Sequence, residues 1–140
     1  ELTVNTFGLL RVAQAFAKSL KENEDTALVQ LNSVASIKNF DGLTTYSASK
    51  AASYSITQGL RDSLKPFNVS VLSVHPGPIN TDMAAQGGMT EIAEPPSVVA
   101  EGIVQALKAG QFHLFTDSMA RDFGGAYDSY AKNIVEADLS

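Results

Sequence analysis

Three side chains capable of acid–base chemistry stand at a defined spacing, with Ser33, Tyr46 and Lys50 arranged as Ser-x12-Tyr-x3-Lys. The phenol and the ammonium are four residues apart, so on a helix they share one face about one turn apart. A hydroxyl at the end of the preceding strand can reach the same place. Such a trio can move a proton to or from a hydroxyl or carbonyl oxygen.

Tyr46 is the candidate acid/base of this trio. A free phenol has a pKa of about 10, and bringing it toward 7 takes roughly 4 kcal/mol. A neighbouring ammonium acts in that direction, and Lys50 supplies one. Ser36 is a second hydroxyl nearby, but its spacing to Tyr46 is ten residues rather than thirteen, so Ser33 is preferred.

Composition argues against several other classes of site. The 140 residues have a net charge of -5, no Cys and only two His, His75 and His113, which lie far apart. The acidic balance disfavours nucleic-acid binding, and the lack of Cys and of His at ligand spacing disfavours a metal site. No apolar run reaches the roughly 18 residues of a membrane span, and no signal peptide opens the chain. A chain without Cys fits a reducing compartment, so we predict a cytoplasmic protein.

Helical and strand patterns alternate along the chain. Apolar residues at helical spacing predict helices over 2–22, 46–64, 95–109 and 118–137. Short apolar runs predict strands over 27–34, 69–74 and 112–117. This order predicts an α/β fold in which about three parallel strands are flanked by helices. Residues 82–94, with Met83, Gly87, Gly88 and Met89, are a candidate substrate lid.

Four segments together resemble the short-chain dehydrogenases/reductases, an NAD(P)-dependent family. They are Asn5-Thr6-Phe7-Gly8, Ser33 in LNSVAS, Tyr46-Ser47-Ala48-Ser49-Lys50 and Pro76-Gly77-Pro78-Ile79-Asn80-Thr81. The match is detailed over residues 1–82 and follows only the general plan after that. It implies that residues 1–140 are the C-terminal part of a single domain with a Rossmann-like, doubly wound parallel sheet.

The same resemblance implies a role for each site residue. Ser33 is expected to bind the substrate oxygen beside Tyr46, and Lys50 to hold the nicotinamide ribose. Asn5 is expected to hold a water that links the lysine to solvent. The catalytic set is thus Asn5, Ser33, Tyr46 and Lys50. The cofactor-binding set is Tyr46, Lys50, Pro76, Gly77, Ile79 and Thr81, with Ile79 backbone groups on the carboxamide.

Two features depart from the family pattern. No glycine-rich phosphate-binding turn is present, because Gly87-Gly88 and Gly124-Gly125 lie in the wrong context. The chain also opens at Glu1 as though inside a helix. We therefore expect this chain to be a piece of a longer protein. The piece lacks the N-terminal βαβ half, which would bind the cofactor. The residue that selects NAD or NADP would lie upstream, so either cofactor is possible.

The predicted function is hydride transfer between NAD(P)(H) and a small carbonyl or alcohol substrate, with Tyr46 exchanging the proton. The fragment alone is expected to be inactive. A second hypothesis is a self-association module, since helices 2–22 and 46–64 resemble the family's homodimer or homotetramer interface. A third is a sugar-nucleotide epimerase or dehydratase, which also uses Tyr-x3-Lys, although the Ser-to-Tyr spacing and residues 76–81 favour the reductase. A Ser hydrolase is disfavoured because no G-x-S-x-G elbow is present.

Overall fold

The computed structural model describes residues 2–78 and 94–138. A π-helical segment, Thr3–Gly8, leads directly into the first α-helix. The regular elements that follow are α1 (Leu9–Glu22), β1 (Ala27–Leu31), α2 (Thr44–Leu64), β2 (Ser70–Val74), α3 (Pro96–Lys108), β3 (His113–Leu114) and α4 (Ser118–Tyr130). A second π-helical segment, Ala131–Val135, extends α4. The predicted alternation of helices and strands is confirmed.

The three strands form one parallel sheet in the order β1-β2-β3. Because all three run in the same direction, their carboxyl ends meet at one edge, where open α/β sheets bind ligands. Helix α2 connects β1 to β2, and α3 precedes β3. The α/β class is therefore confirmed, as a Rossmann-like sheet flanked by helices.

Successive residues of β2 point to opposite faces of the sheet, and each face is covered by a different helix. Leu72 and Val74 pack with Ala106 of α3. Val71 packs on the other face with Tyr54 and Leu64 of α2. The central strand is thus buried on both sides, as parallel sheets require.

Two strands are shorter than the sequence predicted. The run over 27–34 pairs only to Leu31, and the run over 112–117 pairs only at His113–Leu114. Past β1, Ser33 accepts the Ala35 N–H and caps a short 3-10 turn. Past β3, Asp117 caps α4 in the same way. The residues beyond these points include the polar Asn32 and Thr116, and the capping side chains of Ser33 and Asp117 redirect the backbone.

The predicted helix 2–22 is present, but its first turns over Thr3–Gly8 are wound as a π-helix. Two side chains from this segment, Asn5 and Thr6, contact Ser49 of α2. Single π-helical turns are frequent at functional sites. The predicted lid, except for its last residue Glu94, lies outside the described residues.

Candidate active site

Ser33 follows β1 at the carboxyl edge of the sheet. Its backbone is extended, and its Oγ accepts the Ala35 N–H at 3.1 Å. The same hydroxyl lies 3.5 Å from the carbonyl oxygen of Pro76, to which it donates. The N–H of Val34 also donates to Pro76 O at 3.0 Å. The end of β1 is therefore joined to the turn that follows β2.

Tyr46 and Lys50 occupy the first two turns of α2. The Lys50 ammonium lies 5.8 Å from the centre of the Tyr46 ring. Its Nζ donates a hydrogen bond to the Leu31 carbonyl oxygen at 3.0 Å. Burial lowers the pKa of Lys50 below its ordinary value. A partly desolvated ammonium therefore links the last residue of β1 to the helix face that carries the phenol.

Asn5 reaches the site through Ser49, a residue that the sequence analysis did not single out. The Asn5 amide donates to Ser49 Oγ at 2.9 Å, and that hydroxyl donates to the Tyr46 carbonyl oxygen at 2.7 Å. Thr6 donates to the Ser49 carbonyl oxygen at 3.3 Å. Asn5 is thus tied to the backbone of Tyr46. Its expected water link to the lysine stays a prediction. The only sequence signal for Ser49 is its place between Tyr46 and Lys50.

A buried histidine, His75, lies directly behind Ser33 and was not predicted as part of the site. Its Nδ1 is 2.9 Å from Ser36 Oγ and 3.2 Å from the Ser33 carbonyl oxygen. Its Nε2 is 2.8 Å from Ser73 Oγ. These contacts are all satisfied when the ring proton is on Nδ1 and Ser73 donates to Nε2. Burial lowers the pKa of His75 to about 4, so the ring is neutral at pH 7.

The hydrogen bonds continue from His75 into helix α2. Asn32 donates through its amide to Ser73 Oγ at 2.8 Å and to Thr57 Oγ1 at 3.3 Å. The amide oxygen of Asn32 accepts from Ser53 at 2.8 Å. The helix that carries Tyr46 is therefore fixed to the sheet by directional contacts immediately below the site.

The Pro76-Gly77-Pro78 turn follows β2 and is part of the predicted cofactor site. The Gly77 N–H donates to the Asp117 carboxylate at 2.6 Å. The Glu94 N–H donates to the Pro78 carbonyl oxygen at 3.2 Å. Ile79 and Thr81, also predicted to bind cofactor, lie outside the described residues. Asp117 was missed because nothing in its local sequence marks it.

Three contacts join the elements that carry Asn5, Ser33, Tyr46 and Lys50, the four residues of the predicted catalytic set. Lys50 joins α2 to β1, and Asn5 joins the first helix to α2. Helix α2 also packs on the 3-10 turn that Ser33 caps.

In residues 2–78 and 94–138, no group of three or more His, Asp and Glu could hold a metal ion. None of the described helices is both long and apolar enough to cross a membrane.

The fold is an α/β domain in which Ser33, Tyr46 and Lys50 are held near the carboxyl end of β1. The family model described as short chain dehydrogenase matches residues 1–91. The chain therefore belongs to the short-chain dehydrogenase family, and the resemblance carried by the four sequence segments is confirmed.

Relatives of known sequence agree with this assignment. An uncharacterized oxidoreductase of Staphylococcus aureus is 34% identical over 107 residues, which are 76% of this chain and 46% of that protein. The NADPH-dependent 1-acyldihydroxyacetone phosphate reductase of Schizosaccharomyces pombe is 36% identical over 96 residues, covering 67% of this chain and 32% of that protein. The chain therefore spans less than half the length of these two relatives.

Solved structures show the same architecture. A short chain dehydrogenase from Burkholderia cenocepacia in complex with NADP superposes with a TM-score of 0.85 at 28% identity, covering 100% of this chain and 58% of that one. A family member from Burkholderia phymatum in complex with NAD has a TM-score of 0.72 at 20% identity, covering 99% and 60% of the two chains. The second likeness concerns the fold alone.

Proposed function

We propose that the protein carrying this chain is an NAD(P)-dependent oxidoreductase acting on a small carbonyl or alcohol substrate. The observation that carries the proposal is the Tyr46–Lys50 pair, whose ammonium is anchored to the carbonyl oxygen of Leu31 at the carboxyl edge. Residues 1–140 then form the C-terminal part of a single Rossmann-like domain. Family membership and the relatives named as oxidoreductases support the reaction class.

The donors at this edge fit a nicotinamide cofactor. An ammonium has three N–H donors, and Leu31 O accepts one of those on Lys50, so the group can also hold ribose hydroxyls. Pro76 and Gly77 stand on the same edge, next to the predicted contacts at Ile79 and Thr81. Family neighbours were solved with NADP, NADPH or NAD, which supports either cofactor. When bound, the cofactor supplies or accepts the hydride.

Residues of this chain carry out the proton transfer. In the reductive direction, Tyr46 donates its phenolic proton to the substrate oxygen as the carbonyl carbon accepts the hydride. The positive charge of Lys50 favours the phenolate that remains. The hydrogen bond from Ser33 Oγ to Pro76 O is long, at 3.5 Å, and therefore weak. Ser33 can exchange it readily for a hydrogen bond to the substrate oxygen. Asn5, through Ser49, holds the backbone of Tyr46 in place.

The test is a reductase assay on the protein encoded by the full gene, with NADH and NADPH and a panel of ketones and aldehydes. Tyr46→Phe is expected to lower kcat at least about 100-fold, because it removes the proton and leaves the ring. Tyr130→Phe makes the same chemical change at an exposed tyrosine and is expected to keep full activity. Activity that survives Tyr46→Phe would exclude the assignment. The 140-residue chain alone is expected to be inactive, since it has no glycine-rich phosphate-binding turn.

Self-association is a second function that one observation favours. The helix over 2–22 exposes large apolar side chains, namely Leu2, Val4, Phe7, Val12 and Phe16. Large exposed apolar side chains that cluster on one segment favour an interaction site there. We infer a homodimer or homotetramer formed through helices 2–22 and 46–64.

Sedimentation of the full-length protein tests this interface. The double variant Phe7→Ser/Phe16→Ser is expected to shift the protein toward monomer, whereas Val104→Ser, at an exposed residue of α3, is expected to leave the oligomer unchanged. A wild-type monomer at all concentrations would contradict the interface. The epimerase or dehydratase alternative receives no support from the relatives, which are named as oxidoreductases or a reductase. A cytoplasmic location stays a prediction.

A further inference from the structure

A buried carboxylate lies directly behind the turn after β2. Asp117 is 2% exposed. Its Oδ2 accepts the Gly77 N–H at 2.6 Å and the Thr116 hydroxyl at 3.1 Å, and its Oδ1 accepts the Ala120 N–H at 3.1 Å. One side chain thus caps helix α4 and at the same time holds the backbone of the turn, forty residues away in sequence.

The approach of the turn to this carboxylate requires a glycine. A Cβ added at Gly77 would lie 2.5 Å from Asp117 Oδ1, well inside van der Waals contact. On the other side of the turn, Pro76 O accepts the Val34 N–H at 3.0 Å. The turn is therefore held from both sides, by the end of β1 through Pro76 and by the start of α4 through Gly77.

The negative charge of Asp117 is met by N–H and O–H donors and by the positive end of α4. Among the ion pairs of the described residues, none includes Asp117. Hydrogen bonds to an ionised acceptor are about twice as strong as neutral ones. The bond to Gly77 is short and its acceptor residue is almost fully buried, so it fixes the turn more firmly than ordinary turn hydrogen bonds do.

Ser118, the first residue of α4, holds Glu94 in place. Glu94 accepts hydrogen bonds from the Ser118 N–H and hydroxyl, both at 2.8 Å. Glu94 in turn donates its own N–H to Pro78 O at 3.2 Å. The cap residue Asp117 therefore holds Gly77, the first helical residue Ser118 holds Glu94, and Asp117 is the buried member of this pair of anchors.

We propose that Asp117 is a positioning residue that holds the Pro76-Gly77-Pro78 turn in the conformation that presents its backbone to the nicotinamide ring. This inference rests on the proposed function. The family match ends at residue 91, so it assigns no role to Asp117. The role is distinct from capping, because the carboxylate uses separate oxygens for Ala120 and Gly77.

Two variants separate the two roles. Asp117→Ser keeps a good helix cap, since Ser and Asp cap about equally well, but its side chain is too short to reach Gly77. Asp117→Asn keeps the size and one oxygen, so it can accept from Gly77 or Ala120 but not from both. Asp128→Ser makes the same chemical change at an exposed residue of the same helix and is the control.

The measurement is the Kd of the full-length protein for NADH and NADPH by nicotinamide fluorescence, with kcat and KM from steady-state assays. Loss of a charge-assisted hydrogen bond predicts that Asp117→Ser raises the cofactor Kd about tenfold or more. Asp117→Ser should also lower the melting temperature by several degrees, because it leaves the Gly77 N–H without its acceptor, and Asp117→Asn should bind with intermediate affinity. A wild-type Kd together with a lowered melting temperature would mean that Asp117 is only a cap, and would overturn the proposal.

Amide hydrogen exchange of Gly77 provides a readout that does not depend on cofactor. The Gly77 amide is expected to exchange at least tenfold faster in Asp117→Ser than in Asp128→Ser or wild type. If wild type binds neither NADH nor NADPH, the proposed function fails, and this exchange rate alone decides whether Asp117 holds the turn. A Gly77 amide that stays protected in Asp117→Ser would show that Asp117 does not hold the turn, and would overturn the proposal.

Discussion

The two faces of the sheet are held by different kinds of interaction. The face under α3 is apolar along its length, with Leu72 and Val74 fully buried against Ala106. The face under α2 is apolar only toward the amino ends of the strands. Toward the carboxyl ends it is polar, with Ser73 and His75 buried in a hydrogen-bonded network.

This difference separates stability from positioning. Apolar packing is not directional, so it stabilises α3 without fixing that helix to a fraction of an ångström. Hydrogen bonds are directional, and the two that Asn32 makes, accepting from Ser53 and donating to Thr57, set the rotation and height of α2. Since α2 carries Tyr46 and Lys50, the polar contacts are placed where geometry matters most. A satisfied buried network of this kind specifies one arrangement.

Removing an apolar side chain from the α3 face should give the largest loss of stability and little loss of chemistry. Leu72→Ala is expected to lower the free energy of unfolding by about 2–5 kcal/mol, because it leaves a cavity at a fully buried position. The kcat of the remaining folded protein should change less than about threefold. Urea unfolding and assays below the transition measure both, with the exposed Val104→Ala as control. A large fall in kcat would show that the α3 face also positions the site.

Acid should weaken the α2 face specifically. The pKa of His75 is about 4 in the folded protein, against about 6.5 when unfolded, so the folded state binds fewer protons. The stabilisation is complete above pH 6.5 and is lost as the pH falls toward 4, by roughly 3 kcal/mol in total. The pKa of His113 is also lowered, mainly by burial, which adds loss of the same sign. Urea unfolding at pH 7.5, 5.5 and 4.5 checks this, and a flat profile would contradict a neutral buried His75.

Removing the central residue of the polar network should lower kcat more than its effect on the unfolding free energy implies. Asn32→Ala leaves Ser53, Ser73 and Thr57 without their amide partner and is expected to cost about 1–3 kcal/mol in unfolding free energy. The kcat should fall about tenfold or more, because α2 is no longer fixed. Asn39→Ala, at an exposed asparagine, is the control. An unchanged kcat in Asn32→Ala would remove the distinction between the two faces.

The smallest effect is expected from a hydroxyl that takes no part in the network. Ser47 is buried beside Tyr46, and its Oγ has no hydrogen-bond partner within the described part of the chain. Removing an unsatisfied buried hydroxyl is nearly neutral or stabilising, so Ser47→Ala should change the unfolding free energy by no more than about 1 kcal/mol. A loss of several kcal/mol would mean that Ser47 has a partner in the full-length protein.

The sequence predicted the order of the elements and the pair Tyr46–Lys50 because both follow from local periodicity. It missed His75 and Asp117 because their partners are about forty residues away, and no short-range pattern reports such contacts. It also overestimated two strands, since apolar runs mark burial and not the residue at which ladder pairing ends. The roles of Ile79 and Thr81 stay predictions.

The contact between Gly77 and Asp117 couples two distant positions during sequence divergence. A methyl group at position 77 alone would collide with the carboxylate, so Gly77→Ala is expected to be tolerated only with a shorter residue at 117. A side chain at position 77 therefore has to follow a change at 117, whereas Gly77 can remain when Asp117 is replaced by a shorter residue. Homologues that keep Asp at the position of 117 should keep Gly at that of 77.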